Sequence, residues 1–386
     1  MIIVHHYNLI LKSIFKSKLL LFLLSTNFLL NAQEQNEQYK EAFTESYPIR
    51  KEQHLEIQSY LQNLLSNKIE YSLNKFEPDL SNIENYENSL TPFRIQLGEY
   101  FGYPPPKSTR GKISRFEKVG EDKYSNIYRV WIEVIEQVHT YGLYLLPKNH
   151  AEKLPLIVAI HGGGGNPEAI CGLDTRINYH NFGFEAVKRG YAVWAPGLTM
   201  LSGYSKDPKI PGVSREILDE QLSLIGSSII GLELHKIIES TLTLIQARPE
   251  IDANKIGMTG LSWGGFYTMY SAALAPFVKV AVPSGYLRDS RKDLESMLEV
   301  DSKSSIYSFK GFGHFQVIGM ICPRPCMVQM GKNDKLFDLE GAKKEVDRAL
   351  SFYKNLGIPE KFVFDVHPGG HEYENDAIFK FFEEYL

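Results

Sequence analysis

Cysteine is scarce: the 386-residue chain carries Cys171, Cys322 and Cys326 and no others. An odd, small set does not build a disulfide framework. Cys322-Pro-Arg-Pro-Cys326 spaces its thiols too widely for a redox Cys-x-x-Cys pair and brings no histidine at zinc-finger spacing. These thiols read as small buried residues. Long apolar runs are also missing. The one near the N-terminus, 19–30, covers 12 residues, whereas a membrane-spanning helix needs about 20. Positive charge is not in excess: the formal net charge is −4, and without Lys12, Lys16 and Lys18 the remainder is more acidic still. Such a chain has no electrostatic footprint for nucleic acid or for an anionic membrane surface. No cluster of His, Asp, Glu and Cys stands at metal-ligand spacing, and the glycine-rich stretch at 161–165 lacks the Lys-Ser/Thr of a nucleotide-binding loop. The expectation is a protein without metal, cofactor, nucleic-acid partner or stable membrane anchor; its oligomeric state is left open.

What is present suffices for a large core, with 43% hydrophobic and 12% aromatic residues. Residues 1–32 read as a signal peptide: three lysines, the apolar run, then Leu30-Asn31-Ala32 before polar Gln33-Glu34-Gln35. The chain is therefore expected to be exported, to a periplasm or the extracellular space. Residues 33–111 read as an N-terminal helical extension, with helical spacing over 54–65 and a break at Tyr103-Pro104-Pro105-Pro106. Residues 112–386 form the main domain. Alternation over 112–119, 127–135 and 140–146 predicts an antiparallel entry. Continuous apolar runs at 154–160, 191–195, 255–259, 278–282, 325–330 and 362–366 predict strands covered on both faces. Helical stretches at 184–189, 225–246, 265–273, 341–356 and 375–386 lie between and after them. The alternation implies an α/β fold with a mostly parallel central sheet and helices on both faces. Ligands in such sheets bind beyond the carboxyl ends of the strands.

The loops at those ends hold the chemistry. Gly260-Leu261-Ser262-Trp263-Gly264 follows a predicted strand and precedes a predicted helix, the context of a nucleophile elbow. A serine hydroxyl needs a base to take its proton, and in this arrangement the partners follow in the order Ser, Asp or Glu, His. Asp334, after the strand at 325–330, and His371, after the strand at 362–366, meet that order. His367 and Asp365 compete for the same roles. Gly369-Gly370 frees the chain to aim His371 inward, and Asp365 lies within a strand on the same element as the base. The developing oxyanion needs two N–H donors: that of Trp263, and one from His161-Gly162-Gly163-Gly164-Gly165. Gly163 is the first choice there, with Gly162 or Gly164 as alternatives, and His161 reads as the residue that fixes the loop. Trp263, Tyr286, Arg288 and His314 are candidates for substrate binding. Two long segments, 198–216 and the aromatic-rich 286–315 with Tyr307, Phe309, Phe312 and Phe315, are candidates to shape the pocket.

Taken together, HGGGG at 161–165, RGYAVWAPG at 189–197, RPEIDANKIGMTGLSWGG at 248–265, CPRPCMVQMGKNDKLF at 322–337 and HPGGHEY at 367–373 resemble the dienelactone hydrolase-like and acetyl xylan esterase-like branch of the α/β-hydrolases. The resemblance runs from about Arg115 to the end. It implies the α/β-hydrolase fold, Ser262, Asp334 and His371 as triad, and hydrolysis of a small-molecule or carbohydrate ester. The chain departs from many relatives in having Pro196-Gly197-Leu198-Thr199-Met200 after its central strand, and Trp263 where the acetyl xylan esterase pattern has Gln. The same catalytic domain occurs in prolyl oligopeptidase-type serine peptidases, which keeps a peptidase as the alternative. A catalytically inactive binding module on this scaffold is the third reading, and the complete set of triad residues argues against it.

Overall fold

The computed structural model describes residues 16–18, 39–150, 152–174, 178–199, 215–296 and 311–386. The leader expected at 1–32 therefore lies outside the described residues apart from 16–18. So do Tyr307, Phe309 and most of the segment 198–216. Two compact units are present, residues 1–62 and 63–386. In the first, the Arg50 side chain donates to the Phe43 carbonyl at 2.7 Å and lies over the Phe43 ring. The helix expected over 54–65 extends from Tyr47 to Asn74 (α1). No helix among the described residues is long and apolar enough to cross a membrane.

The second unit is built on nine strands. After helices α2 (Ile83–Ser89) and α3 (Thr91–Phe101) come β1 (Ser108–Glu121), β2 (Ser125–Ile135) and β3 (Val138–Pro147). There follow β4 (Leu154–Ile160), the short helices α4 (Pro167–Ile170) and α5 (Phe182–Lys188), β5 (Ala192–Pro196), α6 (Arg215–Ser223) and α7 (Ile229–Ala247). The rest is β6 (Ile251–Leu261), α8 (Trp263–Leu274), β7 (Val280–Ser284), α9 (Ser290–Ser296), α10 (His314–Ile321), β8 (Cys326–Gly331), α11 (Leu339–Asn355), β9 (Phe362–His367) and α12 (Asn375–Tyr385). The strands are ordered β1-β2-β3-β5-β4-β6-β7-β8-β9. β1, β2 and β3 pair antiparallel, β3 joins β5 antiparallel, and every later pairing is parallel. This is the α/β-hydrolase fold, with the antiparallel entry expected.

The apolar runs explain the two-sided burial. In β4, Leu156, Val158 and Ile160 join the core on one face of the sheet, and Ile157 and Ala159 join the core on the other. That is the period of two expected of a strand covered by helices on both sides. Helices α7, α8 and α11 contribute to the first core, α5 and α12 to the second. Arg324, between the two prolines of Pro-Arg-Pro, is used structurally. Its guanidinium donates to the Ala272, Ala275 and Val278 carbonyls and to those of Met320 and Ile321. It thereby satisfies carbonyls left open at the C-terminal ends of α8 and α10. Burial pushes its pKa down to about 10.

Residues 197–199, directly after β5, are held by buried charge. Glu233 and Lys236 on α7 pair at 3.2 Å, and Lys236 also donates to the Gly197 carbonyl and to Thr199 Oγ1. Glu233 accepts from the Thr199 N–H at 2.9 Å, and buried Arg215 donates to the Thr199 carbonyl at 2.8 Å. Burial alone would push the Glu233 carboxyl up, but Lys236, Arg215 and the Thr199 N–H outweigh it and hold it below the usual range. A depressed folded-state pKa adds stability that is fully present above the unfolded value, about 4.3, and is lost as pH falls through the folded value. Glu233→Gln is therefore expected to lower stability at pH 7 by about 3–5 kcal/mol, because Lys236 stays buried without its counter-charge. It should also flatten the loss of stability between about pH 5 and pH 3. Urea denaturation of both proteins across that pH range measures both effects.

Candidate active site

Ser262 stands between the end of β6 and the first residue of α8, at φ 61° and ψ −119°. Its N–H donates to the Ser284 carbonyl at 2.9 Å, and its own carbonyl accepts the first bond of the helix, from Phe266, at 2.9 Å. The turn can press against β4 only because its flanking residues are glycines. A Cβ on Gly264 would lie 2.0 Å from the Ile160 carbonyl oxygen, and one on Gly260 would lie 2.4 Å from it.

His371 and Asp334 meet. The imidazole Nδ1 is 2.7 Å from Asp334 Oδ2. The Asp334 side chain is fully buried and His371 retains 19% of its exposure. The other carboxylate oxygen accepts from the Leu336 and Phe337 N–H groups at 2.8 and 3.3 Å. A carboxylate can only accept, so Nδ1 carries the proton and Nε2 of the neutral ring is the basic nitrogen. Phe337 stacks on the imidazole, with centroids 5.5 Å apart. The two loops are laced by backbone: Lys332 N–H to His367 O at 2.8 Å and Asn333 N–H to Gly369 O at 2.9 Å. Gly331 lies so close that a Cβ there would be 2.0 Å from the Gly370 carbonyl oxygen.

The competing residues have other contacts. His367 is buried at the end of β9 and its Nδ1 accepts from the Gly369 N–H at 3.2 Å. Asp365 accepts from the Gln329 amide at 2.9 Å. Fully buried Gln329 also accepts from Ser284 Oγ and the Glu374 N–H, each at 3.0 Å, and donates to the Glu374 carbonyl. Its own carbonyl receives the Gly285 N–H at 2.8 Å. Gln329 thus joins the strand end that holds the Ser262 turn to the loop that follows His371. Gly285 sits in between: a Cβ there would be 2.7 Å from Leu261 and 3.4 Å from the His371 ring. Sequence reasoning passed over Gln329, although a glutamine inside the apolar run CMVQMG was a signal.

The glycine loop after β4 folds onto Ser262, and a Cβ on Gly162 would be 3.1 Å from the Ser262 Cβ. His161 is buried; its Nε2 accepts from the Leu198 N–H at 2.9 Å. Its Nδ1 therefore carries the proton and donates to the Gly162 carbonyl at 2.9 Å. The Gly162 N–H is occupied by Tyr179 Oη at 3.0 Å, and Gly163 is the exposed member of the loop. Nothing in the sequence pointed to Tyr179. Its neighbours clasp the loop that bears His371: the Asn178 carbonyl accepts from the Tyr373 N–H, the His180 carbonyl accepts from Asn375 Nδ2, and His180 Nε2 lies 3.2 Å from Glu372.

Of the substrate-binding candidates, Trp263 is half-buried beside Tyr286, with centroids 6.3 Å apart. Tyr286 and His314 are buried against one another at 5.7 Å, and Phe312 and Phe315 are buried as well. Arg288 is exposed and pairs with Asp293 at 2.8 Å. Among the described residues no group of three or more His, Cys, Asp and Glu side chains is placed to hold a metal ion. An oriented imidazole, a serine on a strained turn and a glycine loop folded over it form an apparatus suited to acyl transfer.

Residues 112–310 match the model of the acetyl xylan esterase (AXE1) family. The chain belongs to that family. The match spans the glycine loop and Ser262, and ends before Asp334 and His371. YtaP of Bacillus subtilis (strain 168), named as a candidate hydrolase, is 24% identical over 237 residues, 59% of this chain and 76% of its own. A protein of Bacteroides fragilis NCTC 9343, named as a candidate acetyl xylan esterase, superposes with a TM-score of 0.62 at 16% identity, covering 87% of this chain and 84% of that one. A CE15 glucuronoyl esterase from Teredinibacter turnerae T7901 superposes with a TM-score of 0.59 at 14% identity, over 82% and 90% of the two chains. At these identities the two structures share the fold with this hydrolase.

In this AXE1-family protein the Tyr179 hydroxyl holds the glycine loop through a buried N–H. Removing the acceptor leaves that N–H unpaired, at a cost of about 1–3 kcal/mol. Tyr179→Phe is expected to lower kcat on an aryl acetate about tenfold while KM stays within about twofold, because the loop shapes the transition state rather than the resting complex. Steady-state kinetics, with folding checked by circular dichroism, gives the split.

Proposed function

We infer that this chain is an exported serine esterase that removes acetyl or similar acyl groups from carbohydrate through an acyl-enzyme on Ser262. The observation that carries the reading is the Asp334–His371 hydrogen bond, found together with a serine held at positive φ. The AXE1 match supports the ester and carbohydrate part. Export rests on the lysines, apolar run and small-residue step within residues 1–32.

The steps follow from the groups present. His371 Nε2 takes the proton of Ser262 as Oγ bonds to the ester carbonyl carbon, whose π electrons move onto oxygen. The N–H groups of Trp263 and Gly163 receive that oxyanion. Asp334 stabilises the imidazolium and keeps its tautomer. The carbonyl re-forms, the bond to the sugar oxygen breaks, and His371 returns the proton to the departing alcohol. Water then attacks the acyl-enzyme with the same base, releasing the acid and Ser262.

Ser262→Ala should lower kcat by about 10⁴–10⁶ with folding intact. His371→Ala should be comparably impaired, whereas His367→Ala should keep most of its activity and lose only loop stability. Kinetics of the three variants on one acetyl ester decide the assignment. More than about a tenth of wild-type activity in Ser262→Ala would mean that the nucleophile lies elsewhere.

A further inference from the structure

Beside the glycine loop lies a cavity of about 350 Å³. Its walls come from the start of β3, the loop after β4 and the loop after β5, so it opens at the same end of the sheet as Ser262. Its inner wall includes His161 and Gly165. Gly165 donates to Gly162 at 3.0 Å, and Gly162 in turn packs on Ser262. One loop thus separates the cavity from the reacting centre, and the exposed Gly163 forms part of that loop.

The lining is polar with one aromatic face. Tyr141 is half-buried and backed by the Trp131 ring at 5.4 Å. Its hydroxyl donates to the Glu168 carboxylate, which also faces Arg129 at 3.9 Å. Asn166 uses its side-chain oxygen to cap α4, accepting from Ala169 at 2.7 Å, which leaves its amide N–H₂ for a ligand. Exposed His139 and the partly exposed Thr199 complete the rim. Lys236 reaches the wall, but its ammonium is spent on Glu233, Gly197 and Thr199. Among the described residues at the wall, Glu168 faces Arg129 and Lys236 pairs with Glu233, so these charges are offset and favour a neutral ligand rich in hydroxyls. An aromatic face, an amide and a carboxylate with spare lone pairs match a pyranose ring, and the volume lies at the lower end of the roughly 300–1,000 Å³ of ligand pockets.

We propose that this cavity is a glycosyl subsite: it binds a neutral sugar unit next to the one that carries the ester, so that the chain of the substrate passes over the Gly163 edge. The proposal rests on the carbohydrate-esterase reading and adds to it a preference for an acetylated oligomer over a simple acetyl ester. The test compares wild type, Tyr141→Ala and Glu168→Gln on acetylated xylotriose and on 4-nitrophenyl acetate, and titrates each protein calorimetrically with unacetylated xylotriose. The ratio of kcat/KM for the oligosaccharide to that for the aryl ester should fall about tenfold in each variant, mostly through KM, and xylotriose binding should weaken by a similar factor. A ratio and a binding constant within about twofold of wild type in both variants would overturn the subsite. Should Tyr141→Ala fail to fold, Glu168→Gln, which preserves shape, decides alone. Should wild type cleave the aryl ester but no acetylated sugar, the carbohydrate-esterase reading fails. The titration still judges the cavity: xylotriose binding weakened by Glu168→Gln supports it, and no binding, or equal binding, overturns it.

Discussion

Ser262 is held in a backbone conformation, φ 61° and ψ −119°, that costs an L-residue on the order of 1–3 kcal/mol. It persists because its surroundings leave the chain no relaxed alternative. The Ser262 N–H is fixed to the Ser284 carbonyl, and Gly260 and Gly264 let the turn close to within contact of the Ile160 carbonyl. The elbow is thus clamped between β7 on one side and β4 on the other. Everything else near the site is arranged around that clamp: the glycine loop continues from β4, and the strand end that anchors Ser262 passes through Gly285 directly against the His371 ring.

Buried Gln329 and the segment 178–180 carry the clamp outward. Gln329 uses both ends of its amide and its backbone carbonyl to tie the end of β7 to Asp365 and to the segment after His371. The segment 178–180 does the same between the glycine loop and the loop that bears His371, through Tyr179 Oη, the Asn178 carbonyl and His180. Satisfied polar groups in a dry interior are rigid, since breaking any one strands a partner without water. The loops around Ser262 and His371 are therefore fixed by these side chains as well as by their own backbone bonds and glycines.

This division also explains what the sequence made legible. Strands came through because a both-faces-buried strand must be apolar throughout: LPLIVAI at 154–160 coincides with β4. The elbow was legible because its glycines and serine have fixed spacing on adjacent residues. The short helices α6 and α10 were not legible, and within the helical extension read over 33–111 the bounds of α2 and α3 were not. HFQVIGMI carries the β-branched, apolar composition of a buried strand, and it becomes α10 through a cap, Gln316 Oε1 accepting from the Gly313 N–H at 2.7 Å. Tyr179 was not legible either, because what distinguishes it is tertiary contact, including that with Gly162. The aromatic residues of 286–315 gave no means of separating a binding surface from a packed floor, and Tyr286, Phe312 and Phe315 are buried.

The central claim is that Ser262 is activated by His371, and trapping the nucleophile tests it most directly. A fluorophosphonate reacts only with a serine whose proton is taken by a neighbouring base. After incubation, the intact mass should rise by one phosphonyl group, and peptide mapping should place it on Ser262. The rate of labelling should fall on acidification as the imidazole becomes protonated, and His371→Ala should label at least about a hundredfold more slowly, in line with the roughly 10²–10⁴ that general base catalysis contributes. Absence of an adduct from the folded protein, an adduct on another residue, or labelling at the wild-type rate in His371→Ala would contradict the account.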